Sequence, residues 1–526
     1  MRNVHTTLAF LGLLAATGFG QVVGCGVDPK DCSLNNQCLE DGNPYGGVVE
    51  PPPGCVASPS KDAIVLRDEC GIFVSKTVAG SGPAGRSANP FKTIDEAVKE
   101  ATKRTARVYV CADGDYKERL DIPAGISVFG GIDCAGGTWT YGGATKSRIN
   151  PDAPGTADDL QASVRVSGDG TSTLEDLDIV AANATLPGGS AIAAIMATAT
   201  VNVERCILTA GRGGDGAPGE SLGIDDNLNG KDGTPGVKAC SGDVIAGNLG
   251  GAEVTLMCDG IATTGGAGGL GGPIESPPPT PAAAGNGANG GPAGGAGGTG
   301  ESKDGLLACT GGMSGADGAE GGAGTSAEAV GTIGTDGYTP ALATAGKTGG
   351  IGQGGGGGGG ARGGTNICAI GMSGAGASGG SGGSGGCGGK GGGAGGSGGA
   401  SIALLSLNAQ VSLNDSELVA GRGGDGGKGG DGQAGGGGGL RGAAGQKAGN
   451  SKVSCQGGPG GSGGKGGPGG GGAGGPSIVI AVVGTTPTKR GTTQYTLGET
   501  SLGGAGGEGM SVIAGPDGTA EEAIVF

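Results

Sequence analysis

"AIAAIMATATVNVERCILTAGRGGDG" (residues 191–216) and "SIALLSLNAQVSLNDSELVAGRGGDG" (residues 401–426) align without a gap, 210 positions apart. Their apolar residues follow one scheme: two alternating inward positions, a two-residue bend, then two more alternating inward positions. Val201 and Val203, the bend Glu204 and Arg205, then Cys206 and Leu208 fill it in the first copy. Val411 and Leu413, the bend Asn414 and Asp415, then Ser416 and Leu418 fill it in the second. Period-two runs broken at a fixed corner read as strand, bend, strand, because a helix would repeat every 3.6 residues. Two weaker copies are Leu174, Glu175, Asp176, Leu177, Ile179 and Tyr495, Leu497, Gly498, Glu499, Thr500, Leu502.

The spacing of these copies points to stacked coils. Leu174 and Val203 are 29 residues apart. Val203 and Leu413 are 210 apart, of which the glycine-dense tract 211–399 takes 189 and leaves 21. Leu413 and Leu497 are 84 apart, of which 421–475 takes 55 and leaves 29. Each remainder is one repeat of a β-solenoid, whose coils run to roughly 20–30 residues. The shared "AGRGGDG" then marks the place where the chain leaves a coil for a glycine-rich excursion.

A start for such a stack is visible at "NPFKTIDEAVKEATKR" (residues 89–104). Thr93 and Glu96 form a capping box, and Ile94, Ala97, Val98 and Ala101 form one apolar stripe. Short strands are predicted at 108–110, 120–122 and 126–129. The region 68–216 resembles the beginning of bacterial right-handed parallel β-helices of the pectin-lyase-like class, in which a P-F-K-T-I-x-x-A helix caps the first coil. The resemblance implies the right hand; the periodicity does not. The expected fold is therefore all-β, a right-handed parallel β-helix (solenoid) with an N-terminal capping helix and long glycine-rich insertions. Its expected parts are a signal peptide (1–24), a Cys- and Pro-containing linker (25–67), capped coils (68–210), a glycine-rich insertion (211–399), a coil (400–420), a second insertion (421–475) and a C-terminal coil (476–526).

The insertions hold most of the 137 glycines; with 26 prolines these make up about 31% of the 526 residues, and aromatics are only 2%. Much of the tracts repeats as G-G-x. Period three suits extended three-residue-per-turn threads, either packed as polyglycine-II-like bundles or left disordered. In composition and repeat style they resemble the glycine-rich parts of PE-PGRS proteins, whose PE amino-terminal domain is absent here. "CTGGMSGA" at Cys309 and "CAIGMSGA" at Cys368 are a second internal duplication.

The opening "MRNVHTTLAFLGLLAATGFGQVVGC" reads as a secretory signal, with one cation, a short apolar run and small residues before a cysteine. Its end, Val22 to Cys25, resembles the lipobox of bacterial lipoproteins, which implies lipidation of Cys25; the alternative is an ordinary signal with Cys25 in a disulfide. The expected location is exported and membrane-anchored through that lipid, at the outer membrane or cell surface. Thirteen cysteines follow Cys25, so disulfides with one thiol left over are expected, and Cys32 with Cys38, Cys111 with Cys134 and Cys240 with Cys258 are plausible partners by proximity. The single histidine, His5, falls in the signal, which excludes histidine-based catalysis and His-ligated metals in the mature chain. Net charge is −16, and −17 without Arg2, a surface that repels nucleic acid.

In the pectin-lyase-like class, lyases combine carboxylates, calcium and a basic residue, while hydrolases use paired acids. The best matching cluster is Asp113, Asp115, Lys117, Glu118 and Arg119, on what otherwise reads as a polar turn between strands. The outward column after the bend reads Asp178, Ile207, Glu417, Ser501, with no acidic ladder and no basic partner. Asp225, Asn227 and Asn229 form the opening half of a calcium loop, but the closing glutamate is replaced by Gly236. Arg212 with Asp215, and Arg422 with Asp425, read as surface pairs closing the coil exits. Trp139 with Tyr141 is the aromatic cluster that a carbohydrate platform would need. The expected function is a non-enzymatic structural or adhesive surface lipoprotein presenting glycine-rich arms, with polysaccharide or other surface proteins as partners. The alternative is a carbohydrate-active enzyme or a carbohydrate-binding β-helix.

Overall fold

A computed structural model describes residues 51–156, 160–275 and 280–526. Cys25, Cys32, Cys38 and the signal lie outside the described residues.

Most regular structure is strand, arranged in three parallel sheets. The first pairs Ile72–Val74, Arg107–Cys111, Ser127–Asp133, Thr171–Glu175, Thr200–Glu204, Gln410–Asn414 and Thr488–Arg490 in that order, with Thr140–Tyr141 added antiparallel. The second pairs Asp115–Tyr116, Ser147–Ile149, Leu177–Val180, Ile207–Thr209, Glu417–Val419 and Gln494–Thr496. The third pairs Leu120–Pro123, Ala162–Ser167, Ala191–Ala197, Ser401–Leu407, Ser477–Val483 and Ala520–Val525. Ala191–Ala197, Thr200–Glu204 and Ile207–Thr209 visit the third, first and second sheets in turn. The chain repeats that order 210 residues later, in register: Ile192 faces Ile402, Val203 faces Leu413, and Ile207 faces Glu417.

The bend residues make this possible. Asp176 (φ 52°), Arg205 (φ 51°) and Asp415 (φ 50°) are left-handed at one corner, in the row that Gly131 (φ 66°) and Gly491 (φ 61°) extend. A left-handed residue reverses which way the backbone faces and turns the strand into the next sheet. Inward side chains from all three sheets meet in one core, with Val203, Leu208, Met196, Leu404, Leu413 and Leu418 all fully buried. Each such side chain stabilises by about 1.5–3 kcal/mol.

Helix α1, Ile94–Arg104, lies over the first strands with Ile94, Ala97, Val98 and Ala101 buried. Thr93 caps it by accepting from the Glu96 N–H. The carboxylate of Glu118 accepts from the N–H groups of Ile94 (2.8 Å) and Asp95 (3.0 Å), a second cap that joins the helix to the sheets. The third sheet is apolar on both faces: Ile192, Ile402, Leu405 and Ile478 point away from the main core. That outer face is covered by Tyr338, on a hairpin of Thr332–Gly334 and Gly337–Thr339 sent back by the first glycine tract. A strand buried on both faces, such as "SIALLSL", requires such a cover.

The tracts contain no long helix or strand, yet their backbones are paired every third residue. The N–H groups of Gly349, Gly352, Gly355, Gly358 and Ala361 donate to the carbonyls of Gly389, Gly386, Gly383, Gly380 and Ala377, an antiparallel run. Those of Gly383, Gly386, Gly389, Gly392 and Gly395 donate to Gly458, Gly461, Gly464, Gly467 and Gly470, a parallel run. In the seven-glycine run 354–360, successive N–H groups turn through three different neighbours: Gly354 donates to Gly291, Gly355 to Gly383 and Gly356 to Met313, and the cycle repeats from Gly357. A Cβ on Gly355, Gly356 or Gly357 would stand 1.9–2.2 Å from a neighbouring carbonyl oxygen. This thread is enclosed on every side, which is why it carries no side chain at all.

Two expectations are corrected. In the last repeat Leu497 is not the counterpart of Leu413: Leu413 pairs with Lys489 and Leu418 with Tyr495, so Gln494 takes the column position assigned to Ser501. Thr488–Arg490 is an outer strand with all three residues exposed, so it lacks the apolar alternation used to find the others. Cys240 and Cys258 do not join each other. Cys240 is bonded to Cys368, Cys258 to Cys387, and Cys309 to Cys455, because the returning threads bring residues 128, 129 and 146 positions apart side by side. Cys111 with Cys134 and Cys55 with Cys70 form local bridges. Among the described residues Cys206 is the free thiol; it is buried, and burial pushes it up to about 12.

Candidate functional site

The carboxylate cluster predicted after the second strand divides between tasks. Asp113 turns inward to accept from the Ser75 hydroxyl (2.6 Å), the Thr77 N–H and hydroxyl (both 2.9 Å) and the Tyr116 hydroxyl (3.0 Å). Burial alone would raise its pKa; these donors outweigh burial and hold it below the usual carboxylate range. Glu118 is spent on capping α1, and its burial raises it. Arg119 donates to the Asp152 carbonyl. Cys111, Asp113 and Cys134 are close enough to suggest a metal group, but both sulfurs are in the disulfide and offer no thiolate.

Asp115 alone of the cluster faces the surface row of the second sheet. There Asp115, Arg148, Asp178, Ile207, Glu417 and Gln494 stand side by side on successive strands. Arg148 Nε lies 4.0 Å from Asp115 and 3.7 Å from Asp178, so the row contains an acid, base, acid triplet. Asp115 also accepts from Asn150 Nδ2 (3.1 Å). Burial raises the Asp178 carboxyl despite the neighbouring Arg148. Lys146, Arg148, Asp115 and Asp178 line an open groove. The sequence column missed Arg148 and Asp115 because Ser147–Ile149 and Asp115–Tyr116 are three- and two-residue strands with no apolar strand and two-residue bend motif directly before them.

Behind this row sits a buried ion network at the corner. Arg205 Nη2 is 2.6 Å from Glu175 and 3.0 Å from Asp176, both carboxylates almost fully buried, and the Tyr141 hydroxyl donates to Asp176 at 2.8 Å. Trp139 packs edge-on against Phe73 and donates to the Ser87 carbonyl, so Trp139 and Tyr141 are structural and form no open platform.

The calcium candidate resolves into backbone capping. Asp225 accepts from the N–H of Asn227 at the start of the short helix Asp226–Leu228, and Asn229 Oδ1 accepts from the N–H of Gly437 on the adjacent thread. This second role recurs throughout the tracts. Side-chain oxygens of Asp215, Asp232, Asp317, Ser381 and Ser384 each accept the N–H of a residue on a neighbouring thread. The N–H groups of Ser381, Ser384 and Cys387 at x reach carbonyls of the neighbouring thread, and where no carbonyl accepts such an N–H a short polar side chain next door does. Asp, Asn and Ser fill that role at these positions.

These sheets and threads define a class: an all-β protein of parallel sheets carrying cross-bonded glycine threads. The chain matches no family model, no curated protein and no solved structure. Among the described residues, no helix is long and apolar enough to cross a membrane.

Proposed function

We propose that the protein is an exported bacterial lipoprotein held to a membrane through Cys25, in which a pectin-lyase-like right-handed parallel β-helix presents a rigid polyglycine-II-like arm as a non-enzymatic structural or adhesive element at the outer membrane or cell surface. The observation that carries this reading is the continuity of register from sheets to threads. The register that brings Ala191 N–H to Ala400 in the sheets also brings Gly213 N–H to Arg422, Gly216 to Asp425 and Gly219 to Lys428 in the threads. An arm whose threads continue the coil stack is fixed to it, as a presenting element must be. Five disulfides accord with export to an oxidising compartment. The glycine-rich composition is similar to PE-PGRS proteins in style alone.

A second reading, carbohydrate binding or cleavage, is favoured by the row of Asp115, Arg148 and Asp178. Incubation with acidic and neutral polysaccharides, with and without calcium, separates the two readings if new chain ends and bound protein are both counted. Turnover abolished by Arg148→Ala would overturn the non-enzymatic reading. Lipidation is tested by labelled fatty acid: uptake retained in Cys25→Ala would overturn the anchor.

A further inference from the structure

The two ends of the coil stack differ. At the first end α1 lies over the sheets, and Phe91 pairs with Val74 beside the edge strand Ile72–Val74. At the other end Thr488–Arg490, Gln494–Thr496 and Ala520–Val525 are the outermost strands of the first, second and third sheets. Most of their residues are exposed, and among the described residues no further strand pairs with them. Gln494 N–H donates to Ser416, and the Thr496 carbonyl accepts from Ala420. Alternate residues of a parallel strand face the same neighbour, so the N–H and C=O of Tyr495 point to the open side. Such an edge is a template for another strand.

This end is stepped. Ser477–Val483, Thr488–Arg490 and Gln494–Thr496 complete one coil, and Ala520–Val525 starts the next on the third sheet alone. Its charges are divided between the sheets: Lys489 and Arg490 on the first, Glu521 and Glu522 on the third, none on Gln494–Thr496. None of these four side chains forms an ion pair among the described residues. Lys489 takes the inward column opposite Leu413, with Nζ 4.0 Å from the centre of the Tyr495 ring.

We propose that two copies of this chain join at their open ends about a two-fold axis through Tyr495. The axis reverses strand direction and exchanges the first and third sheets, so Gln494–Thr496 pairs antiparallel with its own copy. Ala520–Val525 of each chain, one layer higher, meets Thr488–Arg490 of the other, one layer lower, and the step closes. The antiparallel order that sets Arg490 beside the partner's Glu521 also sets Lys489 beside the partner's Glu522. Charge selects this crossed arrangement, because either strand paired with its own copy sets cation on cation or acid on acid. A charged edge ordinarily resists pairing, and here it resists only its like. The inference is independent of the lipid at Cys25 and of the adhesive reading.

The test uses the full chain carrying Cys25→Ala, so that no lipid brings copies together. Sedimentation at micromolar concentration is expected to give twice the chain mass. Lys489→Glu with Arg490→Glu should weaken association by roughly 100-fold or more, as like charges set across an interface do. Glu521→Lys with Glu522→Lys should do the same. Mixing the two variants should restore association, because each then faces only opposite charge, and no folding defect would be repaired by mixing. Gln494→Cys with Thr496→Cys should form bonds between copies on mild oxidation, since the axis sets these positions opposite each other. A folded native chain of single mass at every concentration overturns the proposal. A dimer that ignores both charge reversals, or variants that stay apart when mixed, overturns it as well.

Discussion

The N–H of Asp425 donates at 2.7 Å to the side-chain Oδ1 of Asp215, its counterpart 210 residues earlier. Asp425 in turn accepts at 2.7 Å from Leu502, on the next thread. The heptapeptide is repeated because each aspartate satisfies a backbone group of the following layer. Its arginine serves the same ladder: Arg212 reaches Asp215 at 2.6 Å and Asp425 at 3.4 Å.

Asp425→Ala strips the Leu502 N–H of its acceptor and should cost about 1–2 kcal/mol. Asp425→Asn keeps an acceptor oxygen and should lose less than half of that. Denaturant midpoints of the two variants check the order.

Acid should unfold the chain through the same groups. The Arg422 hydrogen bond holds Asp425 below its ordinary value, as the Thr492 N–H does for Asp415 and the Glu508 N–H for Asp431. A lowered folded pKa means that the unfolded chain takes up protons first. The stabilisation is then complete above about pH 4 and is lost as pH falls through the lowered folded values. Asp178 and Glu118, raised by burial, work in the opposite direction. Melting temperature between pH 6 and pH 2 should stay level and then fall, and Asp425→Asn should flatten part of the fall.

Gly382→Ala places a methyl 1.9 Å from the Gly355 carbonyl oxygen, so two threads must part. A loss of about 1–3 kcal/mol is expected, as for overpacked cores. Gly223→Ala meets nothing within 4 Å and should be close to neutral. Equal effects at both sites would rule out the thread packing.

Peptide mapping of the unreduced protein should recover Cys240–Cys368, Cys258–Cys387 and Cys309–Cys455. Cys206 should react with a thiol reagent only after unfolding, since its thiol is buried and pushed up to about 12. Cys258→Ser with Cys387→Ser should cost about 2–4 kcal/mol, because the bridge closes a loop of more than a hundred residues.

Arg205→Ala leaves Glu175 and Asp176 as buried carboxylates without their main cation, and a loss of about 3–5 kcal/mol is expected. Arg205→Lys should recover part of it, since one ammonium cannot serve both carboxylates as the guanidinium does.

The sequence by itself determined the strand, bend, strand units, the 210-residue register and the helix over residues 94–104. These depend on local periodicity and capping, which act between residues a few positions apart. It also placed the exits of both glycine tracts, because an exact duplication survives any choice of fold. Proximity in sequence was enough for Cys111 with Cys134, but the tertiary structure alone decided the long-range disulfide partners, the register of the last strands and the Asp115, Arg148, Asp178 row. Each of these brings together residues from different layers, and their strands are too short or too exposed to carry an apolar pattern. The identity of x in G-G-x belongs to the same group: the side chains of Asp215 and Asp232 answer to N–H groups on a thread 210 and 208 residues away. Periodicity records which face of a segment is buried. Which segment covers it depends on how the threads return, and that is fixed by packing and hydrogen bonding across the whole chain.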